Sequence, residues 1–210
     1  MSIYNAFKDI RYTIRDELIN KKNRKRLINR NISLIASDCI GGVMAHELGL
    51  RYNSPTINLF FMAEDYIKFI SNPKRYLDCN MRLITSDEYN YPLVELNDIK
   101  LHLVHYSTIE EAQVAWDRRK KRINWENMYY IMTDRNNCSE GVIQEFDSLP
   151  YKNKVIFVHK KEWEERYKAA YFVKGFEKDK EVGTMTAFTS VISIIRNYDQ
   201  FDYVNWINEK

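Results

Sequence analysis

Residues 31–49 constrain the fold more than any other stretch of the chain. An apolar run over 32–36 has strand chemistry and ends in Ser37-Asp38-Cys39. Gly41 and Gly42 follow, and a short helical pattern closes on Gly49. Strand, tight turn and helix N-terminus in that order form the local architecture of a ligand crevice in an α/β protein. The turn leaves backbone N–H groups unpaired where the helix begins.

The same alternation continues downstream. The sequence predicts strands over 56–61, 99–106, 128–133 and 154–159, with short strand candidates at 81–84 and 93–96 around the turn at Tyr91-Pro92. Helices are predicted over 42–48, 63–70, 141–146, from Lys161 to about Tyr171, and over 184–195. Thr108-Ile-Glu-Glu111 is a capping box that opens another helix reaching about Ile123. Strands and helices alternating at this spacing predict one α/β domain over 31–210. Its expected form is a Rossmann-like, mostly parallel sheet with flanking helices. The aromatic tail over 198–208 is expected to dock on that body.

Charge separates residues 1–30 from the rest. They carry nine Lys/Arg against three Asp/Glu, whereas the remaining chain is slightly acidic and the total is +3. Ile3, Phe7, Ile10, Ile14 and Leu18 fall at three- and four-residue spacing, so the segment reads as a basic amphipathic helical arm. The cluster Lys21-Lys-Asn-Arg-Lys-Arg26 at its end could meet anionic lipid. Nucleic acid is not expected, because the body is not basic and no reading motif follows. No apolar stretch approaches the roughly 20 residues that span a bilayer. The first residues have no signal-peptide core, and three unpatterned cysteines suit reduced thiols, so a cytoplasmic protein is expected.

If the predicted strands are parallel, their polar C-terminal ends share one rim. Ser37-Asp38-Cys39, His105, Asp134-Arg135 and His159 would then become neighbours. Each has two readings. Asp38 is either a catalytic carboxylate or the cap of the next helix. Cys39 is either an inert thiol or a nucleophile whose pKa the helix N-terminus lowers. Gly41 and Gly42 serve either close helix–sheet packing or ligand approach. His105 and Asp134 are candidate bases. Arg135, or Arg118 and Arg119 late in a helix, could hold a phosphate beside Ser37 and the glycines; a solvated basic helix face is the alternative. The loop is neither G-x-G-x-x-G nor a P-loop, so no cofactor is named. No Cys/His spacing points to a metal.

Several of these segments are similar to a known family. Ser37-Asp-Cys-Ile-Gly-Gly42, Leu48-Gly-Leu-Arg-Tyr-Asn-Ser-Pro-Thr56 and Glu64-Asp-Tyr-Ile-Lys-Phe69 resemble uncharacterised bacterial proteins associated with exopolysaccharide (capsule) biosynthesis, which carry a domain of unknown function. His105-Tyr106, Trp116-Asp-Arg-Arg119, Arg122-Ile-Asn124 and Phe201-Asp-Tyr-Val-Asn-Trp206 resemble them too. The resemblance covers nearly everything after about residue 28, and the basic arm is less typical of it. It implies a loosely Rossmann-like domain in surface-glycan synthesis, with no assigned activity or catalytic residues. The family pattern often has Asn where this chain has Asp38, which implies amide-like contacts there rather than a catalytic carboxylate. The expectation is a transferase or modifying enzyme acting on a phosphate-linked sugar precursor such as a nucleotide sugar. The alternative is a non-catalytic glycan- or partner-binding assembly protein, peripheral to the inner membrane through residues 21–26.

Overall fold

The computed structural model describes residues 3–209, with side chains from Phe7 onward; Ile3 of the predicted stripe therefore lies outside the described side chains. Four parallel strands form the central sheet, in the order β1 (Ser33–Ala36), β5 (Met128–Thr133), β6 (Lys154–Val158), β7 (Ala170–Phe172). Successive side chains of a strand point to opposite faces. Leu34, Ala36, Tyr129, Ile131, Val155 and Phe157 fill one core, and Ile35, Tyr130, Met132, Ile156 and Val158 fill another. Both faces are buried, which is why these strands are continuous apolar runs rather than alternating ones.

Helix α3 (Ile40–Glu47) packs on the first face, together with the C-terminal helix α9 (Tyr203–Asn208). On the other face lie α4 (Ala63–Ser71), α6 (Ile109–Lys120), α7 (Glu140–Ser148) and α8 (Lys161–Arg166); the short α5 (Pro73–Leu77) joins them. The α6 cap forms as expected: Thr108 Oγ1 accepts from the Glu111 N–H at 3.2 Å. The Glu111 carboxylate reaches one residue further back than predicted, to the Ser107 N–H.

The mixed α/β architecture is as the alternation predicts, but four predicted elements differ. Residues 56–61 are not a strand. Asn58 adopts φ +69°, which breaks the extended run, and only Phe60 forms a bridge, to His102. The segment instead covers the open edge of β1, where Thr56 Oγ1 accepts from the Ala36 N–H. Residues 99–106 shorten to β4 (Ile99–His102), which joins β2 (Arg82–Ile84) and β3 (Leu93–Leu96) in a separate antiparallel sheet. The β3–β4 turn uses Asn97 at φ +62°, as a tight hairpin requires. Residues 184–195 are not helical. Their hydroxyl-rich, β-branched sequence folds back through Thr189 N–H to Ile195 O and Asn197 N–H to Ala187 O. The predicted helix after Lys161 also stops at Arg166, leaving Ala170–Phe172 to form the last strand.

The N-terminal arm is one nearly continuous helix. Its first part, α1 (Ile3–Arg15), passes through a π-helical turn (Asp16–Asn20) into α2 (Lys21–Arg26). A π turn widens the helix by one residue and is frequent at functional sites. Arg15, just before it, is driven fully into the body: its guanidinium makes two bonds to Glu47, at 2.9 and 2.6 Å, and two to Asp199, at 2.6 and 3.0 Å. The aromatic tail docks as expected, with Trp206 edge-on to Tyr129.

Candidate functional site

The β1–α3 turn is held from within. Asp38 stands one residue before the N-cap Cys39 of α3; its Oδ1 accepts from the first helical N–H, that of Ile40, at 2.9 Å, while its Oδ2 accepts from the Thr133 hydroxyl at 3.2 Å. Burial raises the Asp38 carboxyl above its usual range, against the pull of those two donors and of Arg135. Ser37 Oγ accepts from the Thr133 N–H. A Cβ on Gly41 would stand 2.8 Å from Ala36 Cβ, so this glycine exists for close helix–strand packing. Gly42 has a looser neighbour, Ile57 Cγ2 at 3.2 Å, and one side open to a groove. Burial and the Asp38 charge push the Cys39 thiol up to about 12, against the pull of Arg135.

The predicted common rim forms only in part. β1, β5 and β6 do end side by side, and Asp134 meets His159 there. Its Oδ2 lies 2.5 Å from His159 Nδ1 and accepts from the His159 N–H, while Oδ1 accepts from the Val182 N–H. Asp134 is buried and its acceptor capacity is spent in joining β5, β6 and the 182 loop. Arg135 turns to Glu181 at 3.6 Å. Arg119 is also buried: its Nη1 donates to Ile57 O at 3.1 Å and to Tyr106 Oη at 2.6 Å, bracing the 56–61 segment. Arg118 on the same helix is exposed. His102, in β4, stacks on Phe60 at 4.2 Å.

Cys39 and His105, far apart in sequence, do line one groove of about 560 Å³. His105 arrives through the loop after the antiparallel sheet, not from the end of a parallel strand. Gly42 and His46 of α3 form one wall, with Tyr52 and Asn58 beyond. Tyr12, Thr13, Asp16 and Asn20 of the N-terminal helix form the opposite wall. The π turn thus supplies Asp16 and Asn20. Asn20 is buried, and its Oδ1 has no hydrogen-bond partner. Asp134, Arg118, Arg119 and Arg135 are not among the groove residues.

The groove floor is an ion network that motif reading misses. Glu47 accepts from Arg15, from Arg196 at 2.8 Å and from the Tyr198 hydroxyl. Burial works against its ionisation, but Arg15, Tyr198 and Arg196 together hold its carboxyl below the ordinary 4.5. One signal was available in the sequence: Glu47 is the only acid of α3, whose other residues apart from His46 are apolar or glycine. Among the described residues, no group of three His, Cys, Asp or Glu is placed to hold a metal. Among the described residues no helix is long and apolar enough to cross a membrane.

Residues 10–208 match the family model described as a domain of unknown function, DUF1919. This chain belongs to the DUF1919 family. An uncharacterised protein of Haemophilus influenzae is 35% identical over 207 residues, covering 97% of this chain and 98% of its own length. The family match begins inside the N-terminal helix, so most of the basic arm belongs to the shared DUF1919 unit, contrary to the expectation that the arm is atypical. The match reaches from before Arg15 to beyond Tyr198. It spans every residue of the Glu47 network and both walls of the groove.

Proposed function

We propose that the protein works in exopolysaccharide or capsule assembly, on a phosphate-linked sugar precursor whose sugar portion enters the groove between the N-terminal helix and α3. One observation carries this reading: the groove is lined by hydroxyl, amide, imidazole and aromatic groups, and its charges are already neutralised. Asp16 is paired with Arg24 at 2.9 Å, and Arg196 with Glu47. Such a surface suits a neutral, hydroxyl-rich ligand. Tyr12 and Tyr52 offer faces for sugar rings, and a ligand hydroxyl would satisfy the unpartnered Asn20 Oδ1. His105, exposed at the rim, is positioned as a base toward an acceptor hydroxyl. A thiolate route through Cys39 is disfavoured by its raised pKa. The test is a thermal-shift series with nucleotide sugars and free oligosaccharides. At least one sugar should raise Tm, by mass action on the native state, and the rise should disappear in Asn20→Ala and His105→Ala. A flat response to all of them at millimolar concentration rejects the reading.

The assembly-protein alternative has an observation of its own. The predicted apolar stripe faces outward: Ile10 is 58% and Leu18 63% exposed. Phe7 shares a hollow with Val191 and Leu18 shares another with Ile195, so stripe and loop form one patch, and Ile192 beside it is 83% exposed. Exposed lysines at 8, 21, 22 and 25 belong to the same helix. An apolar face with a cationic border suits an anionic membrane surface. Wild-type protein should co-sediment with anionic phosphatidylserine vesicles, and Ile10→Asp with Ile14→Asp should not. Absence of binding at low salt removes this alternative.

A further inference from the structure

The segment 51–53 separates two hollows. Tyr52 lines the groove, whereas Arg51 and Asn53 line a second cleft of about 490 Å³. The cleft lies at the end of the sheet where β1 and β5 begin. Arg30 and Asn31 come from the approach to β1, and Lys121 and Arg122 from the end of α6 on the way to β5.

Four cations, Arg30, Arg51, Lys121 and Arg122, line this cleft with two asparagines and no carboxylate. Among the described residues none of the four forms an ion pair. Lys121 and Arg122 alone would be the usual complement to a helix C-terminus. Arg30 and Arg51 come from other parts of the chain, so the dipole of α6 does not account for them. Burial, and then the neighbouring Arg51, Arg118 and Arg119 charges, lower the Arg122 pKa. Folding brings these charges together without a protein counter-charge. A ligand with several negative oxygens would relieve the repulsion and accept several guanidinium hydrogen bonds.

We propose that this cleft binds a di- or oligophosphate group, at a site separate from the groove and formed chiefly by Arg51 and Arg122 with Arg30 and Lys121. It is distinct from the phosphate cradle that the sequence suggested at Gly41 and Gly42, and shares no residue with it. The inference stands without the glycan reading, because the probe contains no sugar.

The experiment is calorimetric titration of the full chain with inorganic pyrophosphate, at low and at moderate salt. One site is expected, binding more weakly as salt rises. Arg51→Gln combined with Arg122→Gln should weaken it by about tenfold or more, the loss expected for charge-assisted hydrogen bonds. His105→Ala, on the groove, should leave it unchanged, so a failure here and a failure of the glycan reading are told apart. The double variant should keep or raise the Tm of the unliganded protein, since it removes like charges; a fall in Tm would mark a structural role and overturn the proposal. So would absence of pyrophosphate binding at low salt, or binding that the double variant leaves intact. Vesicles of anionic phospholipid separate the sources of phosphate. Pyrophosphate binding without vesicle binding through these arginines supports a soluble ligand. Vesicle binding lost in the double variant, with no response to pyrophosphate, overturns it.

Discussion

The groove and the cleft on either side of residues 51–53 use arginine in opposite ways. Beneath the groove, Arg15 and Arg196 converge on Glu47, with Asp199 completing the charge balance. In the cleft, Arg30, Arg51 and Arg122 converge with no acid among them. The same side chain is a fastener where the fold delivers a carboxylate and a receptor where it does not. Arg15 fastens the N-terminal helix to the body and so holds one wall of the groove in place.

Removing the acid under the groove should have the largest effect. Glu47→Ala strands the buried Arg196 guanidinium, leaves Arg15 only Asp199 as counter-charge, and should cost about 3–5 kcal/mol in chemical denaturation, releasing the N-terminal helix to proteolysis. A loss under about 1 kcal/mol, the scale of an exposed pair, would erase the contrast between the two regions. Acid should act the same way. The fold holds the Glu47 carboxyl below the ordinary 4.5, so its contribution is complete above that value. It is lost as pH falls through the lower folded value. Stability measured from pH 6 downward should fall below about 4.5, and Glu47→Gln should flatten that slope.

Gly41→Ala tests the packing at the head of the groove. Its Cβ would press on Ala36, and overpacking of this kind costs about 1–3 kcal/mol. An unchanged midpoint would return Gly41 to the role of ligand contact. The smallest effect is expected in the cleft: Arg51→Gln with Arg122→Gln should leave the denaturation midpoint of the unliganded protein unchanged or slightly raised. A fall would show that these arginines fasten structure as Arg15 does.

Much of the fold was legible because its signals are local. The buried strands at 128–133 and 154–158 are continuous β-branched and aromatic runs, and the α6 cap is written in four residues. The errors arose where a neighbour decided the outcome. Residues 56–61 have strand composition, but they meet the edge of β1 through Thr56 and turn at Asn58. The run at 99–106 was read correctly as extended over its first half, yet its partner is β3 rather than the parallel sheet. The site followed the same rule. Cys39 and His105 do share a groove, whereas Asp134 is absorbed by His159 and Arg119 by Tyr106.

The sequence by itself determined the elements whose periodicity is short-ranged. These are the buried strands, the capped helices, the step from strand to helix after Ser37 and the unequal distribution of charge. The tertiary structure decided which sheet each strand joins and which polar groups are consumed inside the fold. It also turned the apolar stripe of the first helix outward and left four cations unopposed. The physical reason is range. Hydrophobic period and capping act over a few residues, whereas a charge acquires its role from whichever counter-charge folding brings within a few ångströms, as Arg15 and Glu47 show across 32 positions.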